Sequence, residues 1–377
     1  MGSRDDGDPS AAAAPSVLEA LRPELEGLSA YVPHVPEGIR IKLDANEAPP
    51  LRAPEVLAAV RDAIGAVALE RYPDPTCAAL KAAIGRRGGP PPEEILCGTG
   101  SDEVISILVN ALARPRGRSP QAVVVAPSPT FVMYRITARA HGIKCVEVPL
   151  DAGWDLDAGA TCRAIEMMRP NLVFLASPNN PTGNALAEDR IRQVARAAAG
   201  ALVVVDEAYG DYAPSSLRRL RREHDNVAIL RTVSKLGLAA LRVGWLEADA
   251  ALVRELDKAR QPFNVSATSQ AAVAAVLDRA WPSIEAHVAG VVRERERVSA
   301  ALSAMDGVVV TPSAANFVWL KAPRPAGEVL DALAARGVLV RSFHAAGGRL
   351  AQQLRVTIGT AEECDAFLAA FAAALGR

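Results

Sequence analysis

The chain predicts an α/β fold: a doubly wound, mostly parallel sheet followed by a smaller α+β unit. Three observations predict it. Four short runs, 122–126, 171–176, 201–206 and 227–230, are rich in Val, Ile and Leu and show no in/out alternation. Strands buried on both faces of a parallel sheet read this way. Ala-rich helical stretches such as 187–199 lie between them, and that alternation builds a doubly wound layer. Near residue 265 the pattern changes, and 377 residues suffice for a large and a small domain.

Taken in order, residues 1–15 carry early acids and no apolar signal core, so they read as a disordered arm and not a secretory signal. Residues 16–51 read as a second, irregular arm, in which Pro33, Pro36, Pro49 and Pro50 break regular structure. Residues 52–264 hold the alternating layer, with a short strand before Cys97 and an apolar helix over 104–113. Residues 265–377 form the smaller unit. It opens on helical residues 266–304, where Arg293-Glu-Arg-Glu-Arg297 reads as a solvated helix face. Runs at 307–310, 316–320, 337–340 and 354–358 follow as strands, with helices between and after.

Composition narrows the function. Half of the residues are hydrophobic and 23% are charged, as in ordinary globular proteins. The net charge of −1 offers no basic field to nucleic acid or anionic membranes. No apolar run reaches the ~18–20 residues of a spanning helix. The five cysteines are widely spaced, form no CxxC pair and read as buried small hydrophobes, which fits a reducing cytoplasm. The five histidines lack metal-ligand spacing.

The most informative motif is Arg231-Thr-Val-Ser-Lys-Leu-Gly-Leu-Ala-Ala-Leu-Arg242. Lys235 is one of only six lysines in the chain and sits in a mostly apolar run. A lysine amine in such a setting can act as a nucleophile toward a carbonyl. Ser234 and Arg242 bring a hydroxyl and a guanidinium that suit a phosphate. A cofactor presenting both an aldehyde and a phosphate, as pyridoxal 5'-phosphate does, matches all three. The plain alternative is a buried or snorkelling lysine on a helix.

Three further motifs bear on this. Cys97-Gly-Thr-Gly-Ser-Asp-Glu103 offers small residues and a helix N-terminus to a phosphate; equally, Ser101 or Asp102 can be a plain N-cap. Ser177-Pro-Asn-Asn-Pro-Thr-Gly-Asn184 follows a predicted strand, where open α/β sheets bind ligands, and Asn180 can donate to a ring oxygen. Asp206-Glu-Ala-Tyr209 ends another buried run. A carboxylate there needs a partner; a protonated pyridine nitrogen fits, and so does a helix cap. Tyr209 can reach the oxygen of the same ring.

These motifs, with Ile41-Lys-Leu-Asp-Ala-Asn-Glu47, Arg71-Tyr-Pro-Asp-Pro75, Pro129-Thr-Phe-Val-Met-Tyr134, Asn316-Phe317 and Leu354-Arg-Val-Thr-Ile-Gly-Thr360, stand in a known order. Over residues 25–375 the chain resembles the fold-type I aminotransferases that use pyridoxal phosphate, and within them the histidinol-phosphate aminotransferases. The resemblance implies a large cofactor-binding domain over 52–264, a small C-terminal domain over 265–377, and an N-terminal arm joining the small domain. Lys235 matches the lysine that binds the cofactor and Asp206 the partner of the pyridine nitrogen. Tyr209 and Asn180 match the groups at the ring oxygen, and Phe131 the aromatic that stacks on the ring. Gly100, Ser101, Asp102, Ser234 and Arg242 match the phosphate cup. Tyr72 matches a tyrosine that reaches a neighbour's phosphate across a homodimer interface. Arg355 matches the carboxylate clamp, while Arg341 and Tyr31 lie near the distal end of the substrate. The chain departs from the family in placing Arg242 seven positions after Lys235 where eight is usual, and in Ala48 and His34.

The resemblance therefore implies transamination between L-histidinol phosphate and 2-oxoglutarate in histidine biosynthesis. An aromatic amino acid aminotransferase and a threonine-phosphate decarboxylase are the alternatives within the fold. A non-catalytic binding module is the alternative of another class, against which the intact Lys235, Asp206 and Tyr209 argue.

Overall fold

A computed structural model of the protein describes residues 17–28, 30, 35–117 and 119–376. The disordered arm expected over 1–15, together with Tyr31 and His34, lies outside the described residues. Twelve strands occur among these residues: β1 Ile41–Leu43, β2 Ile95–Thr99, β3 Val123–Ser128, β4 Lys144–Pro149, β5 Leu172–Ala176, β6 Leu202–Asp206, β7 Val227–Thr232, β8 Val243–Glu247, β9 Val309–Thr311, β10 Phe317–Lys321, β11 Val338–Ser342 and β12 Gln353–Thr357.

Seven of them form one sheet in the order β2-β8-β7-β6-β5-β3-β4. Strands β7, β6, β5, β3 and β4 pair in parallel, and β8 runs antiparallel to both β7 and β2. Every residue of β5, β6 and β7 is buried, which is why these runs carry no alternation. Strands β4 and β8 are not among the apolar runs above. The edge strand β4 exposes Lys144, Glu147 and Pro149, so its pattern is broken by polar residues. In β8 the run is interrupted by Gly244 and by Glu247, a fully buried carboxylate paired with Arg218.

The second sheet has the order β1-β11-β12-β10-β9. Its first strand comes from the arm read as irregular: Ile41–Leu43 pairs in parallel with Val338–Val340. A three-residue strand carries too little period to be read from sequence, and only its partner β11 makes it one.

Two expectations are corrected. The pattern change at 265 is not a change of core. Helix Ala267–Arg279 buries Val273, Val276 and Leu277 with Val56, Leu80, Ile95 and Trp245 beside the larger sheet. The crossing lies within helix Trp281–Ser303: Ile284 belongs to that same core, whereas Val291, Val298 and Leu302 belong to the core of the smaller sheet. The charged stretch 293–297 is not wholly solvated either. Arg295 is buried, and its guanidinium donates to the Ala315 carbonyl at 3.0 Å.

Candidate active site

Strands β2, β3, β5, β6 and β7 all end at one edge of the larger sheet, the edge where open α/β sheets place ligands. Because β8 runs the other way, its beginning lies at that edge. The segments holding Gly100–Asp102, Phe131, Asn180, Asp206, Ser234, Lys235 and Arg242 are thereby collected, although the chain separates them by up to 142 residues.

The helix following β2 starts at Gly100, four residues earlier than its apolar pattern suggests, and Thr99 before it makes no side-chain cap. Ser101 and Asp102 therefore lie in the first turn and are not caps, leaving first-turn N–H groups for an anion. Arg242 closes the cup. Its guanidinium lies 3.4 Å from Ser234 Oγ and 3.4 Å from a carboxylate oxygen of Asp102. Gly100 has φ +78°, and a Cβ there would come within 2.5 Å of Arg242 Nη2. The seven-residue span from Lys235 closes through two left-handed residues, Gly237 at φ +84° and Arg242 at +49°.

Gly244 is a residue that motif reading missed. A Cβ there would lie 2.5 Å from the Ser101 nitrogen and 2.6 Å from the Gly100 carbonyl carbon. Both are backbone atoms, so only glycine lets the helix N-terminus sit against β8. Its one sequence signal is a glycine inside a strand, which marks close backbone approach.

Asp206 ends β6 and is 3% exposed. One carboxylate oxygen accepts the Ala208 N–H at 2.9 Å and the other the Tyr134 hydroxyl at 2.6 Å. The Ala208 contact is the local turn expected of a cap, but only the short turn Gly210–Tyr212 follows, not an α-helix. Burial pushes the Asp206 carboxyl up to about 6, against the opposing pull of the Tyr134 and Ala208 donors. Its neighbour Glu207 shows the contrast. That carboxylate is buried but paired with Arg231 at 2.8 Å and bonded to Ser216. No salt bridge joins Asp206 among the described residues, so it is the buried carboxylate at this edge suited to a cation from outside the chain.

Lys235 follows β7 with its Nζ 5.7 Å from the centre of the Tyr209 ring. Tyr209 packs edge-on against Phe317 of the smaller sheet, and its hydroxyl accepts from Asn46 Nδ2 at 2.8 Å. Asn46 is a second missed residue. It is buried in a left-handed conformation, its backbone N–H donates to Thr357 Oγ1 at 3.0 Å, and its carbonyl accepts from Asn316 Nδ2 at 3.1 Å. With its oxygen engaged, Tyr209 keeps its own proton for an acceptor in the site. Asn180 was expected to donate, and its amide oxygen accepts from Arg355 Nη1 at 2.6 Å. That leaves the amide nitrogen of Asn180 as the donor.

Arg355 also donates to the Asp44 carbonyl. It lies on β12 opposite Trp319 of β10 and Arg341 of β11, so these three side chains share one face. Arg341 is exposed. Phe131 packs edge-on against Tyr134 at 5.5 Å. Tyr72 is not drawn into this cluster: it is 83% exposed and stacks on Phe263 at 4.9 Å.

The arrangement offers an amine, a buried carboxylate awaiting a cation, two donors for an oxygen, a cup for a phosphate and a guanidinium for a second anion. No group of acids, cysteines and histidines suited to a metal occurs among the described residues, and no helix there is long and apolar enough to cross a membrane. A family model described as aminotransferase class I and II matches residues 39–371. The chain is 40% identical over 369 residues to histidinol-phosphate aminotransferase 2 of Cupriavidus pinatubonensis, covering 96% of this chain and 98% of that one. It is 43% identical over 365 residues to histidinol-phosphate aminotransferase 1 of Ralstonia nicotianae, covering 94% of each. In structure it is similar to the histidinol-phosphate aminotransferase of Sinorhizobium meliloti in complex with pyridoxal 5'-phosphate, with a TM-score of 0.83, 27% identity, and 94% and 97% of the two chains covered.

Proposed function

The chain belongs to the class I and II aminotransferases, and we propose that it transfers an amino group between L-histidinol phosphate and 2-oxoglutarate in histidine biosynthesis, with pyridoxal 5'-phosphate as cofactor. The identity of 40% or more to histidinol-phosphate aminotransferases over nearly the whole chain carries the choice of reaction. The residues present fit the cofactor. The cradle at Gly100, Ser101, Asp102, Ser234 and Arg242 suits its phosphate, since a Cβ at Gly100 would fill it. Asp206 suits the pyridine nitrogen, Tyr209 and the Asn180 amide suit the ring oxygen, and Phe131 suits the ring face. When bound, the cofactor supplies an electron sink for the pair left as the substrate Cα loses its proton.

The geometry supports the following roles for the chain's own residues. The Lys235 amine takes the proton from the substrate Cα and holds it for return. The Asp206 carboxylate keeps the pyridine nitrogen protonated. Arg355 binds an anion in both half-reactions: the phosphate ester that histidinol phosphate carries in place of a carboxylate, then the α-carboxylate of glutamate. A guanidinium fork suits either, and the exposed Arg341 beside it adds a second cation. The free thiols support a reducing compartment such as the cytoplasm. The exposed Tyr72 supports a homodimer in which it completes the partner's phosphate cup.

The test is kcat/KM for histidinol phosphate beside phenylalanine and threonine phosphate. Histidinol phosphate is expected to lead by at least about 100-fold over phenylalanine, as polar groups placed for one substrate lose their partners when another lacks the matching groups. A preference for phenylalanine identifies an aromatic aminotransferase instead, and release of CO2 from threonine phosphate a decarboxylase. Arg355→Lys is expected to weaken both half-reactions, because an ammonium cannot reproduce the fork.

A further inference from the structure

The geometry points to Tyr134 as a positioning residue that holds the Asp206 carboxylate ionised and in one plane for the cofactor's pyridine nitrogen. The inference rests on the pyridoxal-phosphate reading of the site. Tyr134 comes from helix Met133–Ala140, whereas Asp206 ends β6, 72 residues later. Its hydroxyl lies 2.6 Å from Asp206 Oδ2. The phenol is the donor, because its own proton is held tightly by burial and by the adjacent Asp206 charge. A short O–H to carboxylate bond of this kind is among the stronger hydrogen bonds in proteins.

The ring cannot turn away. Tyr134 is 1% exposed and lies parallel to Phe174 at 4.5 Å and 2°. Phe131 adds a perpendicular ring contact at 5.5 Å and 86°. With Ala208 N–H on Oδ1 and Tyr134 on Oδ2, each oxygen has one fixed donor. The carboxylate plane is then set, and lone pairs remain for one further N–H. The groups acting on Asp206 from surrounding elements are few. Asp102, from the helix starting at Gly100, opposes its charge; Lys235, after β7, favours it. Tyr134 and the Ala208 N–H are its direct donors. Removing the Tyr134 hydroxyl leaves burial and Asp102 against Lys235 and Ala208, so the carboxylate takes up a proton at higher pH.

The test is titration of the cofactor-free protein with pyridoxal phosphate between pH 5.5 and 8.5, followed by tryptophan fluorescence, for wild type and Tyr134→Phe. The phenylalanine keeps the stack and deletes only the hydroxyl. The ratio of the two dissociation constants cancels ionisations of the cofactor itself. Affinity is expected to fall about tenfold in the variant near pH 6, and the ratio to shrink as pH rises toward 8.5. A ratio of one throughout, or a reduced affinity independent of pH, overturns the assignment, since a merely structural role would not follow the ionisation of Asp206. In an Asp206→Asn background Tyr134→Phe is expected to produce no pH-dependent ratio. Should Tyr134→Phe not fold, Phe174→Leu, which loosens the ring but keeps the hydroxyl, is expected to give the same pH trend at smaller size, and a flat trend there overturns the assignment. Failure of the underlying site reading is seen separately, as absence of saturable pyridoxal phosphate binding by the wild type.

Discussion

Asp206 is a carboxylate placed where water does not reach, and its energetics depend on what it faces. Without a cofactor, burial raises its carboxyl from 3.8 to about 6. The folded chain then holds the proton more tightly than the unfolded chain. The resulting stability is fully present below the unfolded value and lost as pH rises through about 6. A rise of that size corresponds to about 3 kcal/mol. Cofactor-free Asp206→Asn is therefore expected to exceed wild type in urea-unfolding stability by up to about 3 kcal/mol at pH 8, and to match it near pH 3.5. With pyridoxal phosphate bound the advantage should vanish, because the ion pair is lost, and turnover should drop steeply. Equal stability of the two cofactor-free proteins at pH 8 would show that the charge is compensated within the chain. At Lys235 the expectation is covalent: borohydride reduction of the loaded protein fixes the cofactor to Lys235 and to no other lysine. Peptide mapping that finds the label on Lys81, Lys144 or Lys258 removes Lys235 from its role. The identity of such residues is readable from motifs, whereas their hydrogen-bond partners are not. Tyr134 and Asn46 stand inside quoted motifs, yet nothing in a linear string says that one reaches Asp206 and the other Tyr209.

Elements set the site through their ends. The helix Gly100–Ala111 can direct its N-terminus at a phosphate only because β8 carries no side chain where the two backbones touch. Gly244→Ala places a methyl group within 2.5 Å of the Ser101 nitrogen and 2.6 Å of the Gly100 carbonyl carbon, and neither atom can rotate away. The variant is expected to lose about 1–3 kcal/mol of stability and to bind pyridoxal phosphate at least about tenfold more weakly. Thermal unfolding and cofactor titration measure the two effects. Unchanged affinity would mean that the helix end does not hold the phosphate. At this scale the buried parallel strands were legible, because burial on both faces demands apolar residues at every position. Strands β1, β4 and β8 were not. β1 is too short for a period, β4 is an exposed edge, and β8 is broken by a glycine and a paired carboxylate.

The whole molecule is joined at the site by Asn46, Arg355 and Phe317, which belong to the smaller sheet or its arm and contact Tyr209 or Asn180 at the edge of the larger one. The proposed homodimer is also tested at this scale. Tyr72 is expected to serve the partner's phosphate, so mixed dimers of inactive Tyr72→Phe and Lys235→Ala chains should regain activity. Each mixed dimer holds one site with both an intact lysine and an intact tyrosine, while its other site has neither. Recovery up to about a quarter of wild-type activity is the statistical ceiling for random mixing, with half of the dimers mixed and half of their sites intact. A fully active monomer in sedimentation would exclude shared sites. The unit boundary at 265 also belongs to this scale. Sequence marked a change of pattern there, but helix Ala267–Arg279 is apolar enough to pack on the larger core, and only the tertiary structure shows which core it joins.

Sequence by itself determined the α/β class, the positions of the buried parallel strands along the chain and the residue types able to hold a cofactor, because periodicity, burial and functional-group chemistry are local properties. The tertiary structure decided which of those groups meet. The reversal of β8 brings Arg242 to the same edge as Ser234 and Gly100, and the pairing of β12 with β10 and β11 sets Arg355 beside Arg341 and against Asn180. The contacts of Arg242 with Asp102 and of Arg355 with Asn180 depend on strand direction and register between segments more than 100 residues apart, and contacts at that separation leave no period in the chain to read.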